Sequence, residues 1–258
     1  MPTAQARTEI LIGTDGCHYL SQKSALVAGL GGVGGFCAEA LARAGIGRLV
    51  LLDHDVVSPS NINRQLLALH NTVGMKKTEV ARERLRQINP EAEIIVIDRF
   101  LRPEGVSDLL DEIGAVDFIA DCIDSIACKA ALVQGAQERG IAVISAMGAG
   151  NRIDVRQAKI KKLNQTSGCP LAREFRKALK ERGASLHYPV VFSDEPRRQP
   201  LPHQPITGAE PGRARAVNGT ISYLPALFGI LMAGYIVEQW ARAYEAQADN
   251  QSALAQGE

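Results

Sequence analysis

Ser24-Ala25-Leu26-Val27-Ala28 runs without a break into Gly29-Leu30-Gly31-Gly32-Val33-Gly34. An apolar run followed by G-x-G-x-x-G and an amphipathic stretch reads as a strand, a tight turn and a helix. The glycines let the backbone turn sharply and approach a phosphate. The free N–H groups of the helix N-terminus face the negative charge. Asp53 lies nineteen residues past Gly34, at the end of the next apolar run, where a carboxylate can accept hydrogen bonds from ribose hydroxyls. Taken alone, these features predict a nucleotide site, and a dehydrogenase is their default reading.

Outward from this turn, residues 24–150 alternate short apolar runs with amphipathic stretches, the pattern of strand-helix-strand units. The strands expected are 25–28, 49–53, 93–98, 117–121 and 142–146, and the helices 34–44, 76–87, 103–112 and 125–139. The fold class predicted is α/β: a Rossmann-like, doubly wound, mainly parallel sheet. With 258 residues, 46% of them hydrophobic and 22% charged, the chain can bury a core without disulfides, and bulk disorder and coiled coil are excluded. Cys17, Cys37, Cys122, Cys128 and Cys169 are odd in number and scattered, and Met1 to Glu9 lacks an apolar stretch, which predicts a reducing, cytoplasmic location. No C-x-x-C pair occurs, so zinc is not expected.

After residue 150 the texture changes. From Arg152 to Arg215 there are fourteen Lys or Arg against six Asp or Glu, so a net charge of only +1 for the whole chain conceals a basic section. A helix is expected after Pro170, carrying Arg173, Arg176, Lys177, Lys180 and Arg182. Pro189, Pro196, Pro200, Pro202, Pro205 and Pro211 then predict a long irregular loop. Residues 216–237 carry no charge. A membrane span is one reading of them, but the helical part from Pro225 to Val237 rises only about 20 Å at 1.5 Å per residue, against a hydrocarbon core about 30 Å thick. A helix buried on the sheet or on a second copy is favoured, with peripheral or single-span membrane contact as the alternative.

The residues after the second strand argue against hydride transfer. Ser60-Asn61-Ile62-Asn63-Arg64-Gln65 and Gly74-Met75-Lys76-Lys77 place a guanidinium and an ammonium where a triphosphate attacked at its α-phosphorus needs them, to neutralise charge on the bridging oxygen and the leaving pyrophosphate. Asp121-Cys122-Ile123-Asp124-Ser125 follows the fourth strand at the carboxyl edge, where a carboxylate can hold Mg²⁺ among phosphates.

With these motifs, residues 9–149 resemble the ubiquitin-activating-enzyme-like adenylyltransferases that activate carboxylates in molybdopterin and thiamine synthesis. The resemblance implies that Gly29, Gly31 and Gly34 form the phosphate turn, Asp53 binds ribose, Asn61 and Arg64 contact phosphates, Lys77 supports the α-phosphate and Asp124 coordinates magnesium. Arg64, Lys77 and Asp124 are the catalytic candidates. Asp55, Asn63 and Ser125 join the nucleotide contacts, and Arg7 is a candidate to reach a neighbouring site across a homodimer. The cofactors expected are ATP and Mg²⁺, with a monovalent cation a further candidate.

The later half resembles the tRNA threonylcarbamoyladenosine dehydratase branch, through Ala146-Met147-Gly148-Ala149-Gly150-Asn151-Arg152, Thr166 to Arg173, Val190 to Pro196 and Val217 to Pro225. What this implies is ATP-dependent cyclisation of N6-threonylcarbamoyladenosine in tRNA through an acyl adenylate, with the basic section on RNA phosphates. The alternative is activation of the C-terminus of a ubiquitin-like sulfur carrier, with a sulfur-relay protein as partner. A non-catalytic nucleotide-binding module or a dehydrogenase is a third reading. Relatives of the sulfur-carrier type carry two C-x-x-C pairs, which this chain lacks. Cys169 is expected to be inert, since no His base stands near it in sequence and a reactive thiol needs a depressed pKa; an intramolecular second attack needs no enzyme nucleophile. The organisation expected is one adenylating domain over residues 1–243, with a core at 24–150, a basic substrate-binding section at 151–215, a closing helix at 216–243 and an unstructured tail at 244–258.

Overall fold

The apolar run that precedes the glycine turn is the central strand. In a computed structural model, which describes residues 3–199 and 218–255, β1 (Ser24–Ala28) is buried along its whole length. It pairs in parallel with β2 (Arg48–Asp53) on one side and β4 (Phe118–Asp121) on the other. β3 (Glu93–Asp98) extends the sheet beyond β2. β5 (Ala142–Ala146) lies beside β4, followed by β7 (Pro189–Ser193) in parallel and β6 (Ala158–Lys162) antiparallel at the edge. The order is β3-β2-β1-β4-β5-β7-β6. It reverses between β1 and β4, and such sheets bind ligands at that switch point, outside the strand carboxyl ends.

Side chains alternate across β1 and β2: Ala25, Val27, Leu49 and Leu51 face one core, and Leu26, Ala28, Val50 and Leu52 the other. The near-continuous apolar runs follow from burial on both faces. The first core is covered by α1 (Ala6–Ser21), α2 (Gly34–Arg43), α3 (Lys77–Ile88) and α7 (Tyr223–Ala255). The second is covered by α4 (Val106–Ile113), α5 (Ile126–Glu138) and α6 (Pro170–Glu181). The sequence expectations for residues 24–150 hold within two residues, except at 103–112, which divides into a 3₁₀ turn at Pro103–Gly105 and α4.

Outside that core the expectations need correction. The polar N-terminus forms α1, kinked at Gly13. Within the stretch expected as a long irregular loop, Pro189–Ser193 forms β7 and residues 194–199 are irregular as expected; the first half of the basic section holds the expected helix, α6, and an edge strand, β6, that was not expected. Pro189 opens β7, a first-residue position that a strand tolerates. Pro200, Pro202, Pro205 and Pro211 lie outside the described residues, as do Arg213 and Arg215. Residues 244–255, expected as an unstructured tail, continue α7; their Ala, Gln and Glu content suits a helix.

α7 is long and apolar enough to cross a membrane by length and composition, yet 44% of its most apolar window is buried. Leu224, Phe228, Met232, Ala233, Ile236 and Trp240 are all buried in the first core, at the i, i+4, i+8 spacing of one helix face. Trp240 meets Phe118 of β4 edge-on at 6.1 Å between ring centroids.

Candidate active site

The glycine turn takes its shape from sterics that only glycine meets. Gly29 has φ +90°, and a Cβ on Gly34 would sit 1.7 Å from the Gly29 carbonyl oxygen. Gly34 therefore brings α2 close to β1, and it does not line the cavity that the turn opens. Gly29, Gly31, Gly32 and Val33 do. Asp53 fixes the same turn from β2: its carboxylate accepts from the Leu30 N–H at 2.6 Å and from the Asp55 N–H at 2.8 Å.

The cavity, about 440 Å³, lies at the strand carboxyl ends. Its walls include Asp53, Asp55, Asn61, Arg64, Lys77, Asp124 and Ser125, so seven of the polar residues nominated from sequence come together. Lys77 is 4% exposed, and its Nζ meets the Asp55 carboxylate at 2.7 Å. Arg64 donates to the Ser60 carbonyl at 2.9 Å and to Asn63 Oδ1 at 3.0 Å, which leaves its Nη2 and Nε for a ligand. Asn61 caps its own 3₁₀ turn by accepting from the Ser58 N–H at 3.1 Å.

Two nominated residues lie elsewhere. Asn63 turns away to donate to the Thr220 carbonyl at 2.9 Å, tying this loop to the approach of α7. Arg7 stands exposed on α1 and does not line the cavity. Asp53, His54 and Asp55 have a metal-ligand arrangement. Asp53 spends both oxygens on backbone N–H groups and Asp55 faces Lys77, so this cluster is committed to holding the turn. Asp124 is exposed, and its carboxylate has no hydrogen bond or ion pair among the described residues. Such a free oxygen donor beside a phosphate turn fits Mg²⁺.

The Asp124 loop is held from below. Asp121, fully buried, accepts from the Ile123 N–H at 3.2 Å, from the Ser145 hydroxyl at 2.6 Å and from Lys129 Nζ at 2.7 Å. Lys129 is equally buried and also bonds the Asp121 carbonyl. Burial pushes the Asp121 carboxyl up, against the pull of Lys129. Tyr188 closes the network on Ser145 at 3.1 Å, and burial raises its phenol well above the usual range. Cys122 also lines the cavity. The neighbouring Cys37 thiol, then burial, pushes the Cys122 thiol well up, away from thiolate character. Cys169 is buried.

Several wall residues were given no role from sequence. Gln65 is buried with its Oε1 unpartnered, and Phe100, Gly148, Gly150, Thr220 and Pro225 complete the lining. Gln65 was legible as part of the Asn61–Gln65 run. The others converge from β3, β5 and α7 only through the tertiary fold.

Of the basic residues on α6 and at its C-terminal cap, Arg173, Lys177, Lys180 and Arg182 are exposed. Arg173 lies against Glu174 at 3.1 Å, and Lys177 near Glu181 at 3.9 Å. Arg176 turns inward to the Thr166 carbonyl and hydroxyl. Arg182 donates to Gln134 on α5 at 3.0 Å.

Comparison with known proteins places this site among relatives. The model of the ThiF family matches residues 4–254. The tRNA threonylcarbamoyladenosine dehydratase of Bacillus subtilis is 35% identical over 239 residues, 90% of this chain and 92% of that one. The crystal structure of the Escherichia coli tRNA N6-threonylcarbamoyladenosine dehydratase in complex with ATP superposes with a TM-score of 0.81 at 31% identity, over 96% of this chain and 99% of that one. The molybdopterin-synthase adenylyltransferase of Escherichia coli is 37% identical over 140 residues, 54% of each chain.

Proposed function

The chain belongs to the ThiF family, and from that premise we infer that it uses ATP to dehydrate N6-threonylcarbamoyladenosine in tRNA to the cyclic form. The observation that carries the reading is the convergence of the glycine turn, Arg64, Lys77 and Asp124 on one cavity at the sheet switch point. Likeness to the dehydratases over nearly the full length selects the substrate, since likeness to the sulfur-carrier type covers only about half.

The chemistry divides into two steps. An oxygen of the threonyl carboxylate attacks the α-phosphorus of ATP, the bond to the bridging oxygen breaks, and pyrophosphate leaves with its electron pair. The backbone N–H groups of the turn and α2 hold the phosphates, while Arg64 and Lys77 neutralise the charge that develops on the leaving group. A nitrogen or oxygen of the same modification then attacks the activated carbonyl, losing its proton to solvent as AMP departs. That attack is intramolecular, so effective concentration replaces a covalent enzyme intermediate, consistent with a Cys122 thiol pushed away from thiolate character. Mg²⁺, held by Asp124, would supply charge neutralisation among the phosphates when bound.

The finer parts of this reading rest on position. Arg173, Lys177 and Lys180 would contact RNA phosphates from the exposed face of α6. Arg7 would act across a homodimer; it stands on α1 close to Ile10 and Leu11, which are 73% and 82% exposed, apolar surface that a second copy would cover. A cytoplasmic location suits a tRNA substrate. The decisive assay incubates the chain with ATP, Mg²⁺ and tRNA bearing the linear modification, then reads the nucleoside by mass spectrometry. Loss of one water mass is expected. ATP–pyrophosphate exchange that requires a small protein ending in Gly-Gly, with no change in the nucleoside, would instead establish the sulfur-carrier reading.

A further inference from the structure

A second cavity, of about 700 Å³, opens beside the first and shares Asp124, Ser125, Gly148, Gly150 and Leu171 with it. Its volume lies in the range of small-molecule sites. Arg152 is in its wall and Arg197 at its mouth. Arg152 is only 2% exposed. It donates through Nε to the Glu195 carbonyl at 3.0 Å, through Nη1 to Gly148 at 2.5 Å and through Nη2 to Gly168 at 3.0 Å. Those bonds use three of its five N–H groups. All three acceptors are neutral carbonyls, and among the described residues no carboxylate meets this guanidinium. Glu195 spends its carboxylate on the Ile153 and Asp154 N–H groups. A buried cation without a counter-ion is costly to maintain, and here its field falls on the cavity.

We propose that this second cavity is the subsite for the threonylcarbamoyl group and its adenine, and that Arg152 and Arg197 draw the substrate carboxylate to the seam between the two cavities. The inference rests on the reaction assigned above. At the seam the incoming carboxylate must approach the phosphates of ATP, which are like charges, so its approach calls for a cation on the substrate side as well as those on the phosphate side. Arg64 and Lys77 stand on the phosphate side. Glu174 also lines the second cavity, but its charge is answered by Arg173 at 3.1 Å.

Arg197 is held in place for this task. Its Nη2 donates to Asn218 Oδ1 at 2.6 Å, and Asn151 Nδ2 donates to the same oxygen at 2.8 Å. Asn151 has φ 59°, a left-handed conformation that Asn tolerates better than most residues and that tends to occur at functional sites. It further exchanges bonds with Gly219 through its backbone N–H and its Oδ1, so one strained residue fixes the rim that carries Arg197.

The test compares wild type with Arg197→Ala and Ala127→Phe. Ala127 is exposed on the first turn of α5 and lines only the second cavity, so the larger side chain narrows it without disturbing the core. Arg197→Ala is expected to raise the KM for modified tRNA about tenfold or more, the scale of a lost charged hydrogen bond. The KM for ATP and the affinity for unmodified tRNA stay at the wild-type values. Ala127→Phe is expected to abolish cyclisation while ATP binding, read by calorimetry, is retained. Wild-type kcat/KM on modified tRNA in both variants would overturn the proposal. An equal loss of unmodified-tRNA affinity in Arg197→Ala would also overturn it, by making that residue a phosphate contact. A wild-type chain that converts no modified tRNA overturns the assigned reaction itself, and this inference with it.

Discussion

Arg64 and Lys77 reach the same cavity under different restraint. Lys77 is almost fully buried and paired to Asp55 at 2.7 Å, so its ammonium is positioned before any ligand arrives. Arg64 is bonded only to its own turn and can shift with the phosphates. Arg64→Ala is expected to lower kcat by up to about 10² to 10³, the scale for removing one transition-state charge donor, with a smaller change in ATP affinity; single-turnover kinetics with titrated ATP separates the two. Gly34→Ala acts earlier. Its Cβ would overlap the Gly29 carbonyl, so nucleotide binding itself is expected to be lost, as calorimetry would show. Both positions were readable from sequence because the turn and the Asn61–Gln65 run are local motifs whose chemistry dictates residue type. Asn63, nominated as a nucleotide contact, instead donates to the carbonyl of Thr220, a partner distant in the chain that no local motif reveals.

Elements were legible where burial on both sides of the sheet enforced continuous apolar runs, which is why β1 to β5 could be located. β6 and β7 escaped because β6 is an edge strand dominated by Lys159, Lys161 and Lys162, and β7 begins on a proline. Lys159 has a role in holding that edge, since its Nζ donates to Asp194 at 2.6 Å. This bond lowers the Asp194 carboxyl below its unfolded value of about 3.9. A depressed carboxylate contributes stability above the unfolded value and loses it as pH falls through the folded one. Amide protection in β6, corrected for the intrinsic pH dependence of exchange, is expected to fall modestly on acidification below about pH 4 in wild type, and Asp194→Asn is expected to remove that dependence. α7 poses a different packing problem. A Cβ on Gly229 would lie 2.3 Å from the Val33 carbonyl and 3.0 Å from the Cys37 nitrogen, so the helix backbone crosses α2 at close range. Gly229→Val is expected to separate the two helices and lower the thermal midpoint by several degrees, at a cost of about 1–3 kcal/mol for overpacking. The fluorescence of Trp240, further along the same helix, provides the readout.

For the whole molecule, near-neutral charge is a misleading average. The described part of the basic section adds β7 and the edge strand β6 to the sheet and α6 to one of its faces, and the acidic remainder includes the carboxylates around the glycine turn. On the function proposed above, an RNA bound by this section would place its modified base at the cavities while its backbone follows the cations on α6. Arg176 is turned inward to Thr166 and Arg182 is tied to Gln134 at the surface, so on the proposed reading the phosphate contacts fall to Arg173, Lys177 and Lys180. Each phosphate neutralised adds about 0.7 to 0.9 to the slope of log affinity against log salt. Replacing those three residues by Gln is therefore expected to flatten the salt dependence of tRNA binding by about two to three, equally for modified and unmodified tRNA. Arg176→Gln should instead lower stability, because it releases Thr166, and should leave the slope at its wild-type value. Filter binding across a range of potassium chloride concentrations measures both slopes, and a triple variant with an unchanged slope would move the RNA off this face.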